Sequence, residues 1–427
     1  MPVKRLGAEV TLAAVLLLTV IVPAAAQETR AEVAAEERRA RSRELRPKEP
    51  SKVEQAFIKF SDERVMERWF NPRRGLFARV GLPTEGASFG GGPAWRASDP
   101  GRNYTFTVSA AASISREWLG EVSLVIPDAF PRLGNDRFFA SFAVARSGRV
   151  ENEYWGLGNS TSEASRSVFR VAQGGVGGTF GVRLMPWLSM STTMSHLVPR
   201  IKDPHVDSGD VKITDAFDEA TAPGLTDQPP FFRSDLAVDL DYRDSMPPTR
   251  TGVRLDRLPL PAAAHGGRYQ VTLASFDDRE LDRYSFRRTT VDLQQFVPLL
   301  HGHRVLAFRA LAVFSDAPDD QAVPFYLSPT YGGLNVGRGY PTFRFRDRNM
   351  LALQAEYRYQ VSPLVSGAVF VDAGQVAPWV RALAWSQFKT TYGAGVRFGA
   401  SGGAGLRLDF AFHGDRPTFI FGLGHAF

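Results

Sequence analysis

From about Gly86 to the last residue, apolar and polar side chains follow each other with a period of two, broken by turn-rich stretches. In LRLDFAFH, Leu406, Leu408, Phe410 and Phe412 share one face, and Arg407, Asp409, Ala411 and His413 the other. In MLALQAEYRY, Leu351, Leu353, Ala355, Tyr357 and Tyr359 form an apolar face opposite Gln354, Glu356 and Arg358. Tyr392, Ala394, Val396 and Phe398 alternate with Gly393, Gly395, Arg397 and Gly399. Such a strand has one face in an apolar medium and one in a polar medium. A soluble sandwich also alternates. Here, however, the polar face holds charges and glycines, as a wet lumen does. The segments run to about 9–11 residues, the length a tilted strand needs to cross a bilayer. Strands in lipid must close into a barrel, because open edges leave backbone groups unsatisfied. About sixteen such segments fit the chain, the first at Ala87–Trp95. Ser165–Met185 reads as one long strand or as a hairpin around Gly174-Gly175. Pro199–Pro230 and Asp316–Phe345 are long insertions, whereas Pro186-Trp187 and Leu300–His303 are short turns. Long connections outside and short ones in the periplasm are the habit of outer-membrane barrels.

The first residues change pattern. Lys4 and Arg5 precede a short apolar run, Thr11–Val22, and Ala24-Ala25-Ala26 offers a small-residue cleavage site. This is the layout of a secretory signal peptide over residues 1–26. The run is shorter than the roughly 20 residues of a spanning helix. Residues 27–74 are densely charged with both signs interleaved, which suits a solvated segment. Within them Val53, Phe57, Phe60, Val65 and Trp69 fall on one helical stripe. The expected organisation is a signal peptide (1–26), a short charged and partly helical periplasmic extension (27–74), and a barrel (75–427).

Composition narrows the chemistry. The absence of cysteine excludes disulfides, thiolate metal sites and a cysteine nucleophile. The net charge of +6 is spread among interleaved acids and bases, so no nucleic-acid groove is expected. No Gly-x-Ser-x-Gly elbow or His-Glu-x-x-His helix is present, and no enzyme activity, metal or cofactor is expected. His301 and His303 read as turn residues. Asp409 and His413 share a face with no serine placed beside them.

One stretch stands apart: GGLNVGRGYPTFRFRDRN, Gly332–Asn349. A phosphate loop would bring a lysine and a following helix; this stretch has neither. Arg338 sits between Gly337 and Gly339, which leave the backbone free to turn and the guanidinium unobstructed. Further on, in FVDAG, Asp372 shares the parity of Phe370, Ala368 and Ser366, opposite the apolar Val369 and Val371. Asp372 is therefore expected to face the lumen, where an Arg338–carboxylate pair would pin the loop. Glu356 is a second candidate partner. Arg344, Arg346, Asp347 and Arg348 read as a solvated return of the loop.

Gly337-Arg338-Gly339-Tyr340, together with Phe370, Asp372 and Gly374 of FVDAG, resembles the bacterial surface-antigen barrels of the outer-membrane assembly factor superfamily, the BamA and TamA type. Gly75–Arg96 and Tyr154–Asn159 (YWGLGN) are similar to further stretches of that family. The chain departs from it in having Gly337 directly before the arginine, and in a 27–74 segment with no POTRA pattern, so it resembles a POTRA-less branch. The resemblance implies a loop whose arginine pairs with the strand aspartate inside the lumen. It also implies a role in membrane-protein assembly, or in transfer of protein or lipid, at the outer membrane. Expected partners are outer-membrane lipid and unfolded barrel clients or a periplasmic protein, with the barrel itself a monomer. The alternatives are a plugged or small-solute channel, or a structural barrel without transport. Gly90, Gly91 and Gly92 near the start and Gly422 and Gly424 near the end suggest a weak lateral seam. Phe419, Phe421, Leu423 and the terminal Phe427 look like the C-terminal barrel signal.

Overall fold

The structure, a computed structural model, describes residues 75–81, 90–98, 104–113, 118–130, 137–204, 210–244, 263–299, 304–362, 365–398, 406–414, 416–422 and 424–427. The expected signal peptide and charged extension, His301, His303 and Leu423 lie outside them. The strands are β1 (Gly75–Gly81), β2 (Gly90–Ser98), β3 (Thr105–Ser113), β4 (Trp118–Ile126), β5 (Phe138–Tyr154) and β6 (Ser167–Met185). They continue with β7 (Leu188–Lys202), β8 (Phe231–Asp241), β9 (Gly266–Asp278), β10 (Phe286–Leu299) and β11 (Arg304–Asp316). After two short loop strands, β12 (Thr330–Tyr331) and β13 (Phe345–Arg346), come β14 (Asn349–Gln360), β15 (Val365–Ala377), β16 (Lys389–Phe398), β17 (Leu406–His413) and β18 (Arg416–Gly422). Sixteen of them form one antiparallel meander in chain order, and β12 and β13 pair separately.

Burial runs inside out. On β14, Gln354, Glu356 and Arg358 are buried, whereas Leu351, Leu353 and Tyr357 are half-exposed. On β15, Phe370 and Asp372 are buried, whereas Val369 and Val371, which alternate with them, are 52% and 47% exposed. Phe410, Phe419 and Phe421 project outward on β17 and β18 beside buried Arg407 and Asp409. Charges inside and aromatics outside give the sign of a barrel whose solvent is lipid.

Three details correct or settle the sequence reading. The meander starts one strand earlier, at Gly75. The stretch containing Gly90–Gly92 is therefore β2, paired to β1 on one side and β3 on the other. The short, glycine-bracketed β1 carries too little alternation to declare itself. Second, Ser167–Met185 is a single strand, and β5, β6 and β7 run to 17, 19 and 15 residues. These lengths exceed what a bilayer requires, and the ladder continues beyond it. Accordingly β7 extends through Pro199 to Lys202 before its long loop begins. Third, β8 ends at Asp241 and β9 begins at Gly266, so the chain between them, of which 245–262 lie outside the described residues, is no short turn although it leaves from the end where the Pro186-Trp187 turn lies.

Candidate functional site: a loop held in the lumen

The connection between β11 and β14 folds back into the barrel and brings Arg338 to the wall formed by β14–β18. Register explains how the wall receives it. Glu356, Phe370, Gly393, Ala411 and Thr418 lie in one row across five strands. Small residues at Gly393 and Ala411 leave room in that row for the Phe370 ring over Gly393 and for Gly339 against Ala411. Carboxylates border the row: Asp372 one row to one side, and Asp409 one row to the other.

Arg338 lies over the Phe370 ring of that row and is fully buried. Its backbone N–H and Nε donate to Asp372 Oδ2 at 3.0 and 2.9 Å, and its Nη2 donates to Oδ1 at 2.7 Å. Nη1 donates to Glu356 Oε2 at 3.0 Å and lies 3.6 Å from Asp409 Oδ2. The guanidinium also stacks 3.6 Å from the centre of the Phe370 ring, a cation–π contact in a desolvated setting. Burial alone would push the Arg338 guanidinium down; the carboxylates of Asp372, Glu356 and Asp409 hold it above the usual arginine range. Arg358 and Arg397 donate to Glu356 at 3.2 Å each, Arg397 also pairs with Asp409, and Arg407 lies 3.4 Å from Asp409. Four arginines and three carboxylates thus interlock where neither sign would be tolerated alone.

The glycines around this cluster have separate physical reasons. Gly337 and Gly339 adopt φ of 67° and 103°, conformations that a Cβ disfavours. At Gly337 a Cβ would also sit 2.8 Å from the Tyr331 ring. Gly374 is covered by the same ring, so a side chain there would collide with it. Tyr331 in turn donates to Lys389 O at 3.0 Å, and Tyr340 packs on Phe345 and His413. Further anchors surround the tip. Gly339 O accepts from Thr418, Leu334 O from Arg407, and Asn335 O from Gln354.

The loop's return is not solvated, in contrast to the sequence expectation. Arg344, Arg346 and Asp347 are buried. Arg344 donates to the backbone and hydroxyl oxygens of Thr161, and Gly158 N–H donates to Arg346 O at 2.8 Å. Asn159 bridges the amide of Val376 and the carbonyl of Gln387. The YWGLGN turn therefore clamps the loop from the opposite side of the mouth. Sequence reasoning treated these arginines as solvated because their partners are backbone carbonyls, which leave no mark in composition.

The chain end differs from a plain terminal strand. β18 stops at Gly422 and the backbone turns at Gly424, with φ 75°. Phe427 leaves the outward face of Phe419 and Phe421. It packs near Phe296 inside the barrel, and its carbonyl accepts from Arg358 Nη2 at 2.9 Å. Gly90–Gly92 and Gly422 lie near opposite ends of the strand order, but only β1 and β18 are its terminal strands. Among the described residues no register joins β1 to β18.

The family model described as the Omp85 superfamily domain matches residues 100–427. The chain belongs to the Omp85 superfamily. Among solved structures it is similar to BamA from Haemophilus ducreyi lacking POTRA domains 1–3, with TM-score 0.57, 13% identity, and coverage of 90% of this chain and 81% of that one. It is also similar to CdiB from Escherichia coli, with TM-score 0.51, 10% identity, and coverage of 81% of this chain and 61% of that one. CdiB from Acinetobacter baumannii matches at TM-score 0.47 and 11% identity, over 82% of this chain and 59% of that one. This Omp85 chain thus spans less than two thirds of either CdiB chain. No curated protein matches the sequence. Membership places the barrel in the bacterial outer membrane. Members of the superfamily are in general membrane barrels without enzymatic activity.

Proposed function

We propose that this Omp85 barrel assists the insertion of client proteins, acting through its strand edges rather than through its lumen. One observation carries the reading: the lumen is occupied by a loop locked to the wall through fully buried Arg338, Asp372 and Glu356, while the strand order ends in two strands of 7 residues each. A wide solute path would have to break the buried ion cluster, whereas a short, singly paired edge is available for strand addition. The Arg338–Asp372 tether then serves as the rigid abutment of the wall beside that edge. Gly90–Gly92 in β2 and Gly422 in β18 weaken the packing next to the seam, and Phe419, Phe421 and Phe427 form the signal by which the barrel itself is assembled. Clients are unfolded barrel precursors, and the barrel works as a monomer in outer-membrane lipid.

The experiment is reconstitution of the purified full chain into liposomes, scoring folding of a urea-unfolded barrel client and ion conductance in parallel. The proposal expects faster client insertion than in empty liposomes and little conductance. Open conductance without faster insertion would identify a channel instead. Neither activity in a correctly folded barrel would point to a structural element.

A further inference from the structure

Across the lumen, arginines are matched to carboxylates. Arg233 pairs with Asp235, Arg268 with Asp239, Arg243 with Asp241 and Arg309 with Asp292, all at 2.6–2.9 Å. Arg288 and Arg346 break this pattern, as Arg344 on Thr161 does. Arg288 donates only to neutral oxygens, Ser315 Oγ at 3.0 Å and the Leu327 carbonyl. Arg346 is 4% exposed, donates from Nη1 to Phe325 O at 2.6 Å, and keeps a buried Nε with no partner. Neither is in an ion pair among the described residues. Asp347, next in the chain, turns its carboxylate to the Arg348 amide. Burial pushes the Arg346 guanidinium down to about 10, the response of a cation lacking its counter-charge.

Both arginines line the same space. A cavity of about 740 Å³ lies between the tethered loop and the β5–β11 wall, at the end of the barrel that carries the long loops. Its lining contains Arg233, Arg288 and Arg346 and no aspartate or glutamate. Arg233 already has its carboxylate, so two positive charges remain unmatched. The rest of the lining mixes apolar side chains such as Leu311, Leu327 and Phe343 with polar ones such as Asn152, Thr290 and Thr342. Its volume suits a small-molecule ligand. Two uncompensated guanidiniums in a desolvated wall are costly unless an anion completes them.

We infer that this cavity is a binding site for a small anionic amphiphile, whose phosphate or carboxylate is held by Arg288 and Arg346 while its apolar part lies against the half-buried Leu311, Leu327 and Phe343. The inference rests on the charge balance of the lumen and is independent of the client-insertion reading.

The test uses the full chain in a neutral detergent and phosphate-free buffer, with calorimetric titration of three probes. These are a short-chain phosphatidic acid, the matching uncharged diacylglycerol, and inorganic phosphate. Saturable binding of the phosphatidic acid is expected, weakened at least tenfold by Arg288→Gln or Arg346→Gln and unchanged by the exposed Arg279→Gln. Phosphatidic acid binding far tighter than phosphate supports a lipid headgroup as the natural anion. Equal affinities support a free anion in the same site. Absence of saturable binding by both anions, equal binding of the uncharged lipid, or indifference to both Gln variants would overturn the proposal. If a Gln variant does not fold, Arg288→Lys keeps the charge and should bind within a fewfold of wild type. The wild-type affinity should also fall as salt rises; salt-independent binding would count against the site.

Discussion

At the scale of single residues, Arg338 is the point on which the loop depends. Its removal leaves Asp372 and Glu356 buried without their shared cation. Breaking a buried pair from one side costs about 3–5 kcal/mol. Arg338→Ala and Asp372→Ala should each lower the unfolding free energy of the barrel in detergent, obtained from denaturant titration, by an amount of that order. The double variant should lose clearly less than the sum, because contacting partners couple. Additive losses would mean that the two side chains do not act as a pair. Gly374→Ala tests the packing beneath the loop. The added methyl enters the Tyr331 ring, and overpacking of this kind costs about 1–3 kcal/mol. In a Tyr331→Ala background the same Gly374→Ala change should cost clearly less, as read by the same denaturant titration. The inward direction of Asp372 was legible from parity alone, because Val369 and Val371 can only face lipid. The convergence of Arg358, Arg397, Arg407 and Asp409 on the same point was not. It depends on the register between β14 and β17, and period-two alternation leaves register free by two-residue steps.

At the scale of elements, strands declare themselves in proportion to their length and alternation. β14, β15, β16 and β17 were readable because charge or glycine alternates with bulk in each. β1 was hidden by its brevity, and the end of β18 by the turn at Gly424, which carries Phe427 off the outer face and onto Phe296. The same two strands occupy the ends of the strand order and are the shortest of the sixteen. Among the described residues each shares its ladder on one side only, whereas β14 and β15 are paired on both. Amide hydrogen exchange should therefore separate them. Amides of Gly75–Gly81 and Arg416–Gly422 are expected to exchange well before those of Asn349–Ala377, which open only with the whole barrel. Uniform protection from β1 to β18 would argue for a closed, equally strong seam and against edge access.

At the scale of the whole molecule, the inside-out distribution of charge and bulk that sets the fold also sets where work is done. A lumen crossed by interlocked arginines and carboxylates has little freedom to pass a polypeptide, while the wall beside it ends in short strands facing lipid. A chain with no cysteine makes the distinction directly measurable, because each introduced thiol is the only one. The decisive measurement is thiol cross-linking of a cysteine-bearing barrel client, caught during insertion into liposomes, to single-cysteine variants at Val80 in β1, Phe421 in β18 and Thr290 in the lumen. The account predicts cross-links at Val80 and Phe421 that rise and fade as the client folds, with Thr290 remaining unreacted. Capture of the client at Thr290, with both edge positions silent, would contradict it and place the client's path through the barrel.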